Sequence, residues 1–279
     1  MPEWGIRVMA IKYGPTEAEV DPNMAALEIH QIPVLKDNFV YLAREPDSGC
    51  VAVVDPAVTE PVLEKAAALG WRITHILNTH HHPDHIGGNL AIKAATGCTI
   101  VGPAADPDRI PGMDIQVEDG EMFALGQARA QVFFVPGHTH GHIAYWFQES
   151  AALFCGDTLF SIGCGRLFEG TPQQMWTSLL QLRALPSDTR IYCAHEYTES
   201  NIRFAVSVDP DNAALRKRET EVKTLRAAGK YSVPSLLGEE RAANPFLRAD
   251  DPALAAAVGM AGRDPVDVFA EVRRRKDVY

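Results

Sequence analysis

Short apolar runs broken by turn residues dominate the first two-thirds of the chain, and longer helical periods follow. Residues 27–34, 39–43 and 51–54 are rich in β-branched and aromatic side chains and are separated by Lys36-Asp37-Asn38 and Asp47-Ser48-Gly49, which predicts three strands of a meander. Thr59 and Pro61 open a helix that carries Leu63, Ala66 and Ala67 and stops at Gly70. Residues 73–78 then read as a buried strand, 85–95 as a helix and 98–102 as another strand. Residues 116–124 and 127–135 read as strands around the Asp119-Gly120 turn, and 142–147 with 151–155 as a hairpin-like pair. The capping box Thr171-Pro172-x-Gln174 opens an amphipathic helix ending at Leu185-Pro186, and 190–193 is a last strand. After residue 196 the pattern holds helices near 197–207, 212–228, 252–260 and 265–276, with no further strand expected. This order predicts an α/β fold, an αββα sandwich with helices outside two sheets, followed by a C-terminal all-helical domain. The expected division is an extension at 1–24, a metal-binding domain at 25–195 and a helical substrate-binding domain at 196–279.

The strand at 73–78 runs into Thr79-His80-His81-His82-Pro83-Asp84-His85, where five of seven residues are metal-ligand types. Alternation along an extended chain sends His80 and His82 to one side and His81 to the other. Pro83 forces a turn, Gly87-Gly88 supports tight entry into the next helix, and Asp84 and His85 swing round beside the first two imidazoles. Four such donors exceed the needs of one half-open catalytic site, and their chemistry suits zinc, iron or manganese.

Composition narrows the partners. Hydrophobic residues at 46% and charged residues at 22% are ordinary for a globular chain, and no run approaches the ~20 apolar residues of a membrane span. The N-terminal stretch is polar and acidic, unlike a secretory signal. Five cysteines without a Cys-x-x-Cys pair suggest buried thiols in a reducing, cytoplasmic setting. A net charge of −10 argues against nucleic acid while leaving room for a small anion drawn to a local basic patch.

The motif His80-x-His82-x-Asp84-His85 is followed in order by Pro136-Gly137-His138-Thr139, Gly156-Asp157-Thr158-Leu159 and Ala194-His195-Glu196-Tyr197. This series resembles the metallo-β-lactamase superfamily, and along roughly residues 25–279 the chain resembles glyoxalase II, the hydroxyacylglutathione hydrolase family. The resemblance implies two divalent metal ions per chain, zinc foremost and iron or manganese acceptable. His80, His82 and His138 would bind one, and Asp84, His85 and His195 the other. Asp157 would bridge, with Asp84 and Asp157 fixing a bridging hydroxide as catalytic residues. Such a pair of metals lowers the pKa of water from ~15.7 towards ~7 and needs no protein nucleophile. A Gly-x-Ser-x-Gly elbow is absent, and Cys164 is a weak nucleophile candidate. The remaining histidines, His30, His75, His81, His140 and His142, read as structural.

The same resemblance supplies a substrate. Residues 164–170 are similar to a loop that binds the glutathione peptide, which implicates Arg166 and Phe168; Tyr197 would reach the same moiety. The run Val272-Arg273-Arg274-Arg275-Lys276-Asp277 resembles a terminal basic segment that grips the glycine carboxylate through Arg273 and Lys276. The family often has tyrosine at the place of Phe168, so any bond from that hydroxyl is missing. Helix-end stabilisation by cations is the competing reading of Arg273 and Lys276. Residues 234–248, with Asn244-Pro245-Phe246, look like part of the family's helical domain. The implied activity is hydrolysis of S-D-lactoylglutathione to D-lactate and glutathione, the second step of methylglyoxal detoxification, by a monomer or weak dimer with no nucleic-acid or membrane partner. The rivals are a one-iron persulfide dioxygenase of the same superfamily, which should lack the helical tail, and a non-catalytic metal-binding protein.

Overall fold

The computed structural model describes residues 26–279, and the extension assigned to residues 1–24 lies outside them. The first sheet is ordered β1 (Glu28–Val34), β2 (Asn38–Arg44), β3 (Val51–Val54), β4 (His75–Leu77), β5 (Thr99–Pro103) and β6 (Ile115–Val117). Its first three strands are antiparallel and the last four parallel. Parallel neighbours need crossovers. These are α1 (Glu60–Ala68) between β3 and β4, then α2 (Pro83–Ile86) and α3 (Asn89–Thr96) between β4 and β5.

The second sheet contains β7 (Met122–Leu125), β8 (Ala128–Phe134), β9 (Ile143–Phe147) and β10 (Ala152–Gly156), while β11 (Leu159–Phe160) and β12 (Gly163–Cys164) form a separate hairpin. After α4 (Pro172–Arg183), β13 (Arg190–Cys193) pairs parallel to β10. The helices α5 (Thr198–Val208) and α6 (Ala213–Ala227) follow. A short strand, β14 (Ser235–Leu236), then closes the sheet edge before α7 (Leu237–Ala243), α8 (Pro252–Ala257) and α9 (Pro265–Asp277). The αββα layering with a C-terminal helical region is the predicted architecture.

β2 shows why the layers form. Phe39, Tyr41 and Ala43 enter the core between the sheets, and Val40 and Leu42 enter the core beneath α1 with Val62 and Ala66. Both faces of the strand are covered, so the run is apolar throughout. β8 instead alternates buried Ala128, Ala130 and Val132 with more exposed residues. The capping box of α4 is present: Gln174 N–H donates to Thr171 Oγ1 at 3.2 Å and Thr171 N–H to Gln174 Oε1 at 2.9 Å. Such a cap contributes about 1 kcal/mol.

Three expectations need correction. The helix at 85–95 is broken at Gly87-Gly88, where the backbone packs against the 56–58 segment. A Cβ on Gly88 would lie 2.8 Å from the Val58 carbonyl oxygen, and Gly88 N–H donates to Pro56 O at 2.7 Å instead of continuing a helix. The run at 116–124 is two strands in different sheets. Gly120 N–H donates to Val132 O at 2.8 Å and Asp119 Oδ1 accepts from Phe134 N–H at 2.8 Å, so the chain crosses between sheets at this turn. Finally, β14 adds a strand beyond residue 196, pairing Ser235 with Ile191 and Leu236 with Arg190. Two residues are too few to show a period of two.

The sheets are stitched together at one edge. Tyr41 Oη donates to Cys193 O at 2.6 Å and Tyr145 Oη to Asn78 O at 3.1 Å, both buried. Phe39 N–H donates to Ala194 O at 2.7 Å and Ile143 N–H to Thr79 O at 2.9 Å. The segments leaving β4, β10 and β13 therefore meet, and these carry the histidine motif, Asp157 and His195.

Candidate metal centre

At that edge the ligand-type side chains fall into two groups. His82 Nδ1 lies 3.1 Å from both His80 Nε2 and His138 Nε2. A short distance away, His85 Nε2 and His195 Nε2 lie 3.8 and 3.6 Å from Asp84 Oδ2. Asp157 stands between the groups. Its Oδ2 is 3.3 Å from His138 Nε2, and its Oδ1 is 3.5 Å from His85 Nε2 and 3.3 Å from His195 Nε2. Metal–nitrogen bonds of about 2.0–2.1 Å in a tetrahedron place ligand atoms roughly 3.3–3.4 Å apart, close to the observed spacings.

The imidazoles are oriented from behind by residues outside the ligand motifs or by main chain, which carry no ligand signature of their own in the sequence. His85 Nδ1 donates to Asp55 Oδ2 at 3.1 Å and His195 Nδ1 to Asp37 Oδ1 at 3.0 Å. Thr79 Oγ1 donates to Asp55 at 2.7 Å, so it accepts from His80 Nδ1 at 3.0 Å. His138 Nδ1 donates to the Arg166 carbonyl at 2.8 Å. Each bond fixes the proton on Nδ1 and leaves a lone pair on Nε2 facing the cluster. Asn38 donates to Asp84 Oδ2 at 3.0 Å. His142, stacked on His80, accepts the Asp157 N–H at 3.1 Å through Nε2, so it is structural but holds the bridging residue. His81 turns away, with Nδ1 2.9 Å from Asp106.

These residues fit divalent metal ions. His85 Nε2 and Asp157 Oδ1 are buried atoms with no hydrogen-bond partner, and the facing Nε2 lone pairs would repel without a cation. Burial and then His85 and His142 push His80 well below the ordinary imidazole range, and burial with His138 pushes His82 down to about 4. Burial opposes charge on Asp157, yet His85, His195 and His138 hold its carboxyl far below the usual range. His195 is held up to about 9, against burial, by Asp157, Asp37 and Asp84. The neutral His80 and His82 and the ionised carboxylates form a donor set for two hard or borderline cations, and at His195 a cation would compete with a proton. Zinc, iron and manganese all accept such a set.

Of the residues read as substrate-binding, Phe168 and Tyr197 pack on the imidazoles of this cluster. Phe168 is exposed, and its ring packs edge-on to His82 and His138 at 5.6 and 5.2 Å. Tyr197 stacks on His195 at 4.7 Å with the rings parallel. Arg166, on the same loop as Phe168, reaches Asp277 of α9 at 3.4 Å. Arg273 is 5% exposed; its fork donates to Cys164 O at 2.9 Å and pairs with Asp277 at 3.0 Å. Lys276 is more open, donating to Ser200 O at 3.2 Å. The loop thus rests on α9 through Cys164 and Asp277. Cys164 is buried, and burial raises its thiol to about 11 despite Arg273, which is unsuited to a nucleophile.

Comparison with known proteins is consistent across the chain. Residues 35–195 match the family model described as the metallo-beta-lactamase superfamily, and residues 196–279 match the one described as hydroxyacylglutathione hydrolase C-terminus. A hydroxyacylglutathione hydrolase of Methylococcus capsulatus is 62% identical over 91% of this chain and 99% of its own length. Another from Rhodospirillum rubrum is 61% identical over 92% of this chain and the whole of its own. Among solved structures, ETHE1 from Myxococcus xanthus shares 25% identity with a TM-score of 0.65, covering 88% of this chain and 90% of that one.

Proposed function

The chain belongs to the hydroxyacylglutathione hydrolase family of the metallo-beta-lactamase superfamily, and we propose that it hydrolyses S-D-lactoylglutathione and related 2-hydroxyacyl glutathione thioesters. Its place would be the second step of methylglyoxal detoxification, in the cytoplasm, as a monomer or weak dimer. The observation that carries the reading is Asp157, whose two oxygens face the two histidine groups, one of whose members, His195, is stacked on by Tyr197 at the start of the 196–279 tail. We assign residues 25–195 to metal binding and 196–279 to substrate binding.

Two bound divalent ions, zinc by preference, would supply Lewis acidity and a water acidic enough to ionise near neutral pH. His80, His82 and His138 would hold one ion and Asp84, His85 and His195 the other, with Asp157 shared. Asp84 is the more open carboxylate, and Asn38 fixes the oxygen that faces His85 and His195. In this reading Asp84 would accept a proton of the attacking water, aim its lone pair at the thioester carbon, and return the proton to the departing glutathione thiolate. Phe168 and Tyr197 would make apolar walls beside the imidazoles for the glutathione moiety. Arg166 and Lys276 provide positive charge for the peptide carboxylates; Arg273 would act with them from beneath the loop.

Loss of the thioester with lactoylglutathione and pure metal-loaded protein tests the reading. Absence of turnover, or oxygen consumption with glutathione persulfide in its place, would overturn it in favour of the one-iron dioxygenase.

A further inference from the structure

The loop that carries Arg166 and Phe168 has a second anchor on the side away from the metal cluster. Glu169 turns back to Arg109, which lies in the 3-10 turn Pro107–Arg109 after β5. Both carboxylate oxygens are taken by the guanidinium fork, with Nη2 donating to Oε2 at 3.1 Å. Oε2 also accepts the His140 N–H at 2.6 Å. The other edge of the guanidinium pairs through Nε with Asp106, itself 5% exposed. Arg109 Nη1 also donates to His81 Nε2 at 3.1 Å, and His81 Nδ1 lies 2.9 Å from Asp106 Oδ2. Hydrogen bonds from Arg109 and from His140 hold the Glu169 carboxyl down to about 2.

A lone exposed ion pair contributes little, about 0–1 kcal/mol, to folding. This one is bidentate and joins four segments: the metal motif, the turn after β5, the turn after His138 and the substrate loop. Bidentate geometry fixes direction as well as distance. The main chain of the loop is otherwise tied near the cluster by Phe168 N–H to His138 O at 3.2 Å and by His138 Nδ1 to Arg166 O. Glu169 therefore decides how the outer half of the loop, and with it the Phe168 ring, sits over His82 and His138.

We propose that Arg109 is a positioning residue for the hydrolase: through Glu169 it holds the 165–170 loop in the orientation that receives the glutathione thioester. The inference rests on the hydrolase reading for the identity of its substrate, though not for the tether itself. Arg109→Ala should raise KM tenfold or more, with kcat within about threefold of wild type, because the loop holds substrate rather than the reacting atoms. Arg109→Lys keeps the charge without the fork and should lie between. Glu169→Gln in the Arg109→Ala background should add little further loss, since the pair acts as one unit.

A second measurement needs no turnover. Arg166 is exposed, so trypsin can cut the loop after it. Metal-loaded Arg109→Ala should be nicked there several-fold faster than wild type, while other sites are cut at unchanged rates. Lys93→Ala, which breaks a comparable surface pair with Asp114 at 2.5 Å, should change neither KM nor nicking. Wild-type nicking and wild-type KM in Arg109→Ala would overturn the inference. So would loss of bound metal with no change in nicking, because Arg109 would then act through His81. Failure of the wild-type protein to hydrolyse the thioester sinks the substrate reading alone, since the trypsin comparison still reports the tether.

Discussion

The Nδ1–H of His138 donates to the main-chain carbonyl of Arg166 at 2.8 Å, so a candidate metal ligand and a candidate substrate loop share one hydrogen bond. Gly165 makes that contact possible. A Cβ there would collide with the Asp157 carbonyl and sit 3.0 Å from His138 Nδ1, with backbone on one side that cannot yield. Gly165→Ala is therefore expected to keep its circular dichroism while losing metal and at least a hundredfold in kcat/KM. Wild-type metal content in a folded Gly165→Ala protein would show that the loop and His138 are independent.

Asp157→Ala should lose at least one of two metal ions together with most activity. Its carboxylate oxygens face His138 on one side and His85 and His195 on the other, so its removal would leave two cations close together without the charge that screens them. Elemental analysis that finds a single ion per wild-type chain with full thioesterase activity would refute the dinuclear reading.

Removing the carboxylates behind the imidazoles separates the two metal positions. Asp37→Asn weakens the hold on His195 and Asp55→Asn the hold on His85, and such outer partners are typically worth 10–100-fold in metal affinity. Asp55 is buried and also accepts from Thr79 N–H at 2.8 Å and Thr79 Oγ1, so its replacement should lower Tm as well. Asp37 is more open and should affect affinity alone. Chelator competition on both variants, with thermal melts, checks the pattern; equal metal affinities in all three proteins would contradict it.

These outer residues show where sequence reading ends. The motif 80–85 is legible because its ligands are local, and a strand followed by a proline turn fixes where they point. Asp37 lies 158 residues from His195, and Arg109 lies 60 from Glu169, so neither pairing leaves a spacing to find. Alternation along the strand end turns His81 away from the cluster, but no local spacing brings it to Asp106 and Arg109. The β6–β7 break and β14 are illegible in the sequence for another reason. Both depend on which sheet a short run joins, and tertiary pairing decides that.

Arg273 and Lys276, adjacent on α9, should respond differently to replacement. Arg273 is buried, and its loss leaves the Cys164 carbonyl without its guanidinium partner, so Arg273→Ala should cost about 1–3 kcal/mol of stability. At roughly 2–4 °C per kcal/mol for a chain of this size class, a differential melt detects it. Lys276→Ala should melt within a degree or two of wild type and show its effect in binding.

The pH dependence of Lys276 tests whether it meets the glycine carboxylate. Burial, then Arg273 and Arg203, push its ammonium down to about 8. The folded-state value lies below the unfolded one of about 10.4, so the charged form is disfavoured by folding below about pH 8, and that penalty is relieved as pH rises between the two values. A bound carboxylate reverses the preference. It favours the ammonium and should raise its pKa, so binding near pH 8 takes up a proton. Affinity for S-methylglutathione, which has no thiol to titrate, should fall as pH rises through about 8. A charge-assisted bond of about 1.5–3 kcal/mol corresponds to roughly tenfold to a hundredfold. Lys276→Ala should bind weakly at pH 7 and lose the step at pH 8, and the ligand amidated at its glycine carboxylate should lack the step with the wild-type protein. If the amidated ligand keeps the step, or Lys276→Ala retains it, the charge at α9 serves the helix end and the carboxylate is held elsewhere.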